Sequence, residues 1–173
     1  MALIKSVRGM TPAIGEGCYI AENVVVIGDV VIGDNCSLWY NAVIRGDVNS
    51  IRIGNEVNIQ DGAVIHCNYK DSVSIIGNRV SVGHNAIIHG AVIEDNVLVG
   101  MGAIVMDHVR VGHSSIIAAG AVVTKNTIIE PGSVYGGTPA RLIKKYDPGQ
   151  LGRMTGKSAD NYLMYKKWYG EEQ

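Results

Sequence analysis

The chain has 173 residues, the length of about one domain. Hydrophobic residues make up 47% and charged residues 18%, which excludes an intrinsically disordered chain. The net charge is −1 and no run of five like charges occurs, so nucleic acid and anionic membranes are not expected as partners.

The first ten residues lack the apolar segment of a signal peptide, and no stretch reaches the about 18 apolar residues of a membrane span. The cysteines are Cys18, Cys36 and Cys67, an odd number without CxxC spacing. Together these features predict a reduced, cytoplasmic protein with no membrane segment.

Residues 11–140 carry an aliphatic residue at every sixth position, with two insertions around 46–50 and 67–71 and one step of five. A sustained period of six is typical of a parallel β-helix, in which three hexapeptides close one triangular coil. The composition agrees, because 21 Ile, 22 Val and no Phe suit a narrow interior. The twenty inward positions, or rungs, are Ile14, Ile20, Val26, Ile32, Leu38, Ile44, Ile53, Ile59, Ile65, Ile76, Val82, Ile88, Ile93, Val99, Val105, Val111, Ile117, Val123, Ile129 and Tyr135.

Residues 141–173 follow the array and have a different composition. Three of the six leucines fall there, and aromatic residues recur at helical spacing. We expect a C-terminal tail with an α-helix packed along the prism, capped near 158–160 and carrying Tyr162 and Tyr165 on one face.

The register of the repeat decides where the histidines lie. Rungs three apart share a wall, so His66 and His89 point outward from one wall on successive coils, with Arg45 one coil before His66. His84 falls on the preceding wall, near its corner, and points away from this ladder. His108 and His113 share no column with the others and are predicted to be solvated surface residues.

Zinc prefers a tetrahedral array of ligands at about 2.0–2.1 Å. Two stacked histidines are not easily completed by a third on another wall of the same prism, whereas a neighbouring prism can supply it. The column arithmetic therefore predicts a site between subunits. A repeated heterologous contact closes into a ring or runs on as a filament, and for triangular prisms a homotrimer is the natural closed form.

Several sequence motifs resemble the γ-class carbonic anhydrases and their close relatives. They are Arg45-Gly46-Asp47, Asn58-Ile59-Gln60-Asp61-Gly62, Ile65-His66, Val82-Gly83-His84-Asn85, Ile88-His89-Gly90 and Tyr135-Gly136-Gly137-Thr138-Pro139-Ala140. The resemblance covers nearly the whole chain. It implies an all-β fold, a left-handed parallel β-helix of hexapeptide repeats with a C-terminal α-helix.

The resemblance also implies a role for each matching residue. His66, His84 and His89 are the implied metal ligands, with His84 donated across the interface of a homotrimer. The other implied site residues are Arg45 and Asp47 as interface ion pairs, Gln60 and Asp61 near the metal-bound water, and Tyr162 as a C-terminal tyrosine near the site, with Tyr165 as the alternative.

The implied activity is the reversible hydration of carbon dioxide to bicarbonate by a hydroxide on Zn²⁺, a lyase reaction. Fe²⁺ and Co²⁺ also suit three imidazoles. The loop at 67–71 is short and has no Glu to shuttle protons. This loop is similar to that of a family branch in which the activity is weak or undetected.

Two other functions remain open from the sequence. Acyl-CoA-dependent transferases share this fold, but they need one histidine as a general base rather than three converging on one point. A non-catalytic trimeric zinc protein is the third hypothesis. Against it, structural zinc usually has four protein ligands, whereas three ligands and an open position are the catalytic arrangement.

Overall fold

The computed structural model describes residues 1–170, so the last three residues of the predicted tail lie outside the described part. All twenty rungs fall in β-strands. The strands are β1 (Leu3–Lys5), β2 (Ala13–Ile14), β3 (Tyr19–Ile20), β4 (Val25–Ile32), β5 (Ser37–Leu38), β6 (Val43–Ile53), β7 (Asn58–Ile59), β8 (Val64–His66), β9 (Ser74–Ile76), β10 (Ser81–Val82), β11 (Ile87–His89), β12 (Val92–Ile93), β13 (Leu98–Val99), β14 (Ile104–Val105), β15 (Arg110–Val111), β16 (Ile116–Ile117), β17 (Val122–Val123), β18 (Ile128–Ile129), β19 (Ser133–Gly137) and β20 (Ala140–Lys145). One helix, α1 (Pro148–Gly170), follows them.

The strands form the three walls of a triangular prism. The histidine wall contains the first part of β4 and of β6, then β8, β11, β14 and β17. The arginine wall contains β2, the last part of β4 and of β6, then β9, β12, β15 and β18. The helix wall contains β3, β5, β7, β10, β13, β16 and β19. Pairing along each wall is parallel, which confirms the β-helix of hexapeptide repeats.

The rungs stack inside the prism in register from coil to coil. On the histidine wall Ile44 pairs with Ile65, Ile65 with Ile88, and Ile88 with Val105. These four side chains are fully buried, as are most of the other rungs. Branched aliphatic side chains fill the interior, so the inside of the prism is apolar.

A column of short polar side chains satisfies the corner that follows the arginine wall. Oδ1 of Asp34, Asn55, Asn78 and Asp95 each accepts a backbone N–H from the coil before it, at 2.7–2.9 Å. An Asx side chain replaces the ladder hydrogen bond that a turning backbone loses. The sequence therefore specifies this corner as well as the strands.

Both ends of the repeat depart from the hexapeptide pattern. Strand β1, which precedes the first rung, adds to the histidine wall by pairing in parallel with β4. At the other end β20 turns back and pairs antiparallel with β19. These strands cover the first and last coils, where unpaired edges would otherwise be exposed.

Helix α1 begins ten residues earlier than the sequence predicted, at Pro148 rather than near Ser158. Asp147 caps it, since its Oδ1 accepts the N–H of Gln150 at 3.0 Å, and Pro suits the first helical position. The glycines of this first part are poor helix formers, which misled the prediction. Gly152 has a packing reason, because a Cβ there would lie 2.8 Å from Oγ of Ser114.

Helix α1 packs on the helix wall, and two basic side chains link it to the prism. Arg79 bridges Glu56 on the prism and Asp160 on α1, each at 2.6 Å. Lys166 donates to the carbonyl oxygens of Gly17 at 2.7 Å and Asn35 at 3.0 Å. Across residues 1–170, α1 included, no helix has the length and apolar character needed to cross a bilayer.

Candidate metal centre

Two histidines lie side by side on the outer surface of the histidine wall. His66 in β8 pairs in register with His89 in β11, one coil later. Nδ1 of His66 lies 3.2 Å from Nε2 of His89, and the rings meet at 61°. Ile44 pairs with Ile65, so Arg45 follows at the height of His66, as the repeat predicts.

Each of the two histidines contacts a carboxylate. Oδ1 of Asp47 lies 3.1 Å from Nε2 of His66, and its Oδ2 accepts a 2.6 Å hydrogen bond from Arg45. Oδ1 of Asp107 lies 3.0 Å from Nδ1 of His89. A carboxylate accepts an N–H, so each neutral ring carries its proton on the nitrogen that faces its carboxylate. The lone pairs are left on His66 Nδ1 and His89 Nε2, the two atoms that face each other.

Asp107 was not predicted from the sequence to be part of the site. It lies two positions after rung Val105, which pairs with Ile88, so it stands one coil beyond His89 and one residue out of the column. The side chain of Asp107 is 9% exposed and also accepts hydrogen bonds from Ser72 Oγ at 2.7 Å and Asn68 Nδ2 at 2.9 Å. The column argument considers only residues in register with the histidines, and the offset of one residue places Asp107 outside it.

The loop that carries Ser72 fits against the strand of His89 only because Gly90 has no side chain. Gly90 has φ +60°, and a Cβ there would collide with Ser72 Oγ and Asp107 Oδ1. The loop through residues 67–72 therefore brings two hydrogen-bond donors, Asn68 and Ser72, to the carboxylate of Asp107. The bonds from these donors hold Asp107 in place beneath His89.

The protonation of the group follows from burial and its hydrogen bonds. Burial lowers the pKa of His66 below its usual value, and this outweighs the hydrogen bond to Asp47. For Asp47, burial is outweighed by hydrogen bonds from Arg45 and His66, which lower the pKa of the carboxyl. For Asp107, burial is likewise outweighed by hydrogen bonds from Ser72 and His89, which lower its pKa. At neutral pH the group therefore holds a neutral His66 imidazole beside two carboxylates.

The remaining predicted site residues gather at a different place, the corner between the helix wall and the histidine wall. Nδ1 of His84 lies 2.9 Å from Oδ2 of Asp61. Gln60 is buried, and its Nε2 donates to Oδ1 of Asn58 at 2.9 Å. Nδ2 of Asn58 in turn donates to Oγ of Ser81 at 2.8 Å. This chain fixes the amide of Gln60 so that its carbonyl oxygen remains as an acceptor.

Tyr162 reaches this corner from α1. With Gln60 and His84 it lines a cleft between the helix and the helix wall, and Tyr165 lines the same cleft. Its ring lies 5.4 Å from that of Trp39, edge to face. Burial, assisted by the negative charge of Asp61, raises the pKa of Tyr162 to about 12, so the phenol stays protonated at neutral pH.

The predicted site residues thus form two groups within one chain. The wall group contains Arg45, Asp47, His66 and His89, together with Asp107; the corner group contains Gln60, Asp61, His84 and Tyr162. Among residues 1–170 no cluster of three or more His, Cys, Asp or Glu side chains is arranged to hold a metal ion. One protomer therefore offers two nitrogens at the wall and one at the corner.

The wall group nevertheless fits one edge of a zinc site. Two ligands at about 2.0–2.1 Å in a tetrahedral array lie about 3.3–3.4 Å apart. The two lone-pair nitrogens of His66 and His89 are 3.2 Å apart. Without a cation these lone pairs would repel each other. The donor set of neutral imidazoles, each oriented by a carboxylate, is typical of zinc ligands.

An aliphatic column runs along the outside of the histidine wall. Its members pair from coil to coil and are half-buried: Val25, Val43, Val64, Ile87, Ile104 and Val122. The matching column of the arginine wall contains Arg52 and Arg110, which pair with Asp29 and Glu94. The helix wall is covered by α1. Of the two walls that α1 leaves uncovered, the histidine wall is therefore the one whose outer column has no charged residue.

Other sequence expectations are decided by exposure. His108 directly follows Asp107, but its side chain is at the surface and contacts Asp71 at 3.1 Å. His113 contacts Ser114 and is likewise outside both groups. Cys67, directly after His66, is fully buried, and burial raises the pKa of its thiol, so it is not a reactive neighbour of the site.

Comparison with known proteins identifies the family. A "Probable carbonic anhydrase" of Methanocaldococcus jannaschii is 54% identical over 154 residues, covering 89% of this chain and 94% of that protein. The chain belongs to the γ-carbonic anhydrase family. "Gamma carbonic anhydrase 2, mitochondrial" of Arabidopsis thaliana is 38% identical over 98% of this chain, which spans 62% of that longer relative.

The family's repeat is matched separately. The model described as "Bacterial transferase hexapeptide (six repeats)" matches residues 11–46 and 90–125, and "Hexapeptide repeat of succinyl-transferase" matches residues 29–67. Among solved structures, a hexapeptide transferase family protein of Anaplasma phagocytophilum superposes with a TM-score of 0.90 at 36% identity, covering 96% of this chain and 98% of its own. The γ-carbonic anhydrase fold is thus shared with proteins named as transferases. The chemistry therefore has to be inferred from the residues of the site rather than from the fold.

Proposed function

We propose that the protein is a metal-dependent γ-carbonic anhydrase that hydrates carbon dioxide reversibly at a zinc centre shared between subunits. His66 and His89 of one protomer and His84 of the next would hold the ion. The observation that carries the proposal is the 3.2 Å separation of the two lone-pair nitrogens, each on a ring that a carboxylate orients.

The trimer follows from the division of the site residues into two groups. Each wall group needs a third ligand, and each corner group offers one. A contact that joins the wall of one protomer to the corner of the next is heterologous, and three such contacts close a ring. The aliphatic column of the histidine wall supplies an apolar surface for that contact.

The residues of the chain divide the work around the metal. His66 and His89 with the His84 of the next protomer would hold Zn²⁺, which would supply a nucleophile at neutral pH by lowering the pKa of a water from 15.7 to about 7. Asp47 and Asp107 fix the tautomers of His66 and His89. Gln60 presents a carbonyl oxygen that can accept a proton from a reacting hydroxyl group. Tyr162, with its pKa raised to about 12, remains a hydrogen-bond donor beside it.

Fe²⁺ and Co²⁺ would suit the same three imidazoles, because imidazole nitrogen binds all three metal ions and does not select zinc. The acyl-CoA-dependent function is less well supported. A transferase would use one histidine as a base, and it has no use for two imidazoles facing each other with matched carboxylates. A structural zinc would require a fourth protein ligand.

The test is metal analysis of the purified full chain under conditions that retain metal, followed by stopped-flow assay of carbon dioxide hydration. We expect about one transition-metal ion per protomer and hydration above the buffer rate. His84→Ala should lose both, whereas His108→Ala, which removes a surface histidine, should keep both.

Three results would contradict the proposal. One is a wild-type protein without transition metal, and another is a His84→Ala variant with unchanged metal content. The third is a metal-loaded protein that lacks hydration activity and binds acetyl-CoA with micromolar affinity. The third result would favour the transferase.

Removing the carboxylate beneath His89 is expected to weaken the metal site without abolishing it. Asp107→Ala should lower zinc affinity by about 10–100-fold, because an unsupported ring loses its preferred tautomer and orientation. Competition with a chromophoric chelator measures this. Asp71→Ala removes a carboxylate that contacts His108 instead and should leave affinity unchanged. Equal affinity in the Asp107→Ala and wild-type proteins would refute the positioning role.

A further inference from the structure

Two of the three cysteines occupy neighbouring positions on successive coils. Tyr19 pairs with Ser37 and Ile20 with Leu38, so Cys18 and Cys36, one residue earlier, stand one above the other. The N–H of Tyr19 donates to the carbonyl oxygen of Cys36 at 3.0 Å. Adjacent strands lie about 4.7–4.9 Å apart, which is within the about 4.4–6.8 Å between Cα atoms that a disulfide spans.

The thiols are directed along the axis of the prism. Sγ of Cys18 donates to the carbonyl oxygen of Gly33 at 3.2 Å, and Gly33 belongs to the coil of Cys36. Sγ of Cys36 donates one coil further, to Gly54 at 3.1 Å. The Cys18 thiol therefore already leans towards the level of Cys36. A change of rotamer at Cys36 brings the second sulfur back towards the first.

The two thiols differ in access and in charge environment. Cys18 is half-buried and lines a surface groove with Tyr19, Lys166 and Tyr169, whereas Cys36 is fully buried. The neighbouring Cys36 outweighs burial and lowers the pKa of Cys18 to about 6, and the charge of Lys166 contributes. The neighbouring Cys18 and burial raise the pKa of Cys36. Cys18 is thus the accessible thiolate and Cys36 its buried partner.

We propose that Cys18 and Cys36 are a redox-active pair that forms a reversible disulfide by exchange with a low-molecular-weight disulfide such as oxidised glutathione. The Cys18 thiolate attacks one sulfur of the small disulfide, breaks its S–S bond and releases one thiolate. Cys36 then loses its proton and attacks Sγ of Cys18, which releases the second thiolate. The chain gives up two electrons and two protons, and one small disulfide becomes two small thiols.

The pair lies away from the candidate metal centre. Cys18 and Cys36 stand at the corner between the arginine wall and the helix wall, which is the edge opposite the histidine wall. Assembly through the histidine wall therefore leaves the groove open. Lys166 donates to Gly17 and Asn35, the residues directly before the two cysteines, so the disulfide would form beneath the last turns of α1.

The test is incubation of the reduced full chain with oxidised glutathione, followed by thiol titration in denaturant and peptide mapping. We expect the three free thiols to fall to one and the mapped crosslink to join residues 18 and 36. Cys67→Ser should still lose two thiols. Cys36→Ser should stop with one glutathione on Cys18, and Cys18→Ser should react much more slowly.

Lys166→Gln should slow the reaction of Cys18 severalfold at neutral pH, because the thiolate loses its nearby cation. Three thiols that survive an excess of oxidised glutathione would overturn the proposal. A crosslink to Cys67 would overturn it too, as would a wild-type protein in which glutathione stays on Cys18 without being displaced.

Discussion

Combining a His66→Ala variant with a His84→Ala variant in one trimer is expected to restore about a third of the wild-type metal content, although neither variant binds metal alone. A complete site needs intact His66 and His89 from one protomer and an intact His84 from the next. In every trimer that contains both variants this combination occurs at one interface in three. Coexpression of differently tagged chains, followed by metal analysis of the doubly tagged trimers, measures the restoration.

The matched control is a mixture of His66→Ala with His89→Ala. Both changes fall in the wall group, where the two nitrogens come from the same chain and lie 3.2 Å apart. No combination of these chains rebuilds a complete site, so metal should stay absent. Restoration in this control, or none in the first mixture, would mean that the ligands are not divided between subunits as we propose.

The columns could be predicted from the sequence because the repeat leaves little freedom. Once a rung is assigned every six residues, each outward residue has a fixed wall and height. The pairing of His66 with His89 followed from counting alone, as did the place of Arg45 beside them. The insertions at 46–50 and 67–71 did not disturb this register, since both fall between the histidine wall and the arginine wall.

Contacts outside the column could not be read in the same way. Asp107 reaches His89 although it lies one position out of register, and Ser72 reaches Asp107 from an insertion whose path the period does not describe. The predicted start of α1 was wrong for a related reason. Helix propensity counts Gly152 as unfavourable, whereas the tertiary structure uses it to bring the helix against Ser114.

Substitutions at the adjacent residues Ile88 and Ile87 are expected to have different effects. A change at Ile88 should lower the stability of the fold, and a change at Ile87 should lower the stability of the assembly. Ile88 is fully buried among the rungs, and Ile88→Ala should lower the free energy of unfolding by about 2–5 kcal/mol through lost burial and a cavity that the stacked coils cannot close. Denaturant unfolding of wild type and variant at one protein concentration measures the difference.

Ile87 lies on the other side of the same strand, half-buried in the aliphatic column of the histidine wall. Ile87→Asp places a charge where we propose that two protomers meet, and its desolvation opposes association rather than folding. We expect a folded monomer by sedimentation and circular dichroism, without metal, because the wall group and the corner group of a lone protomer do not meet at one site. A metal-loaded trimer with Asp at position 87 would show that the histidine wall is not the interface. An Ile88→Ala protein as stable as wild type would show that the prism interior is not close-packed.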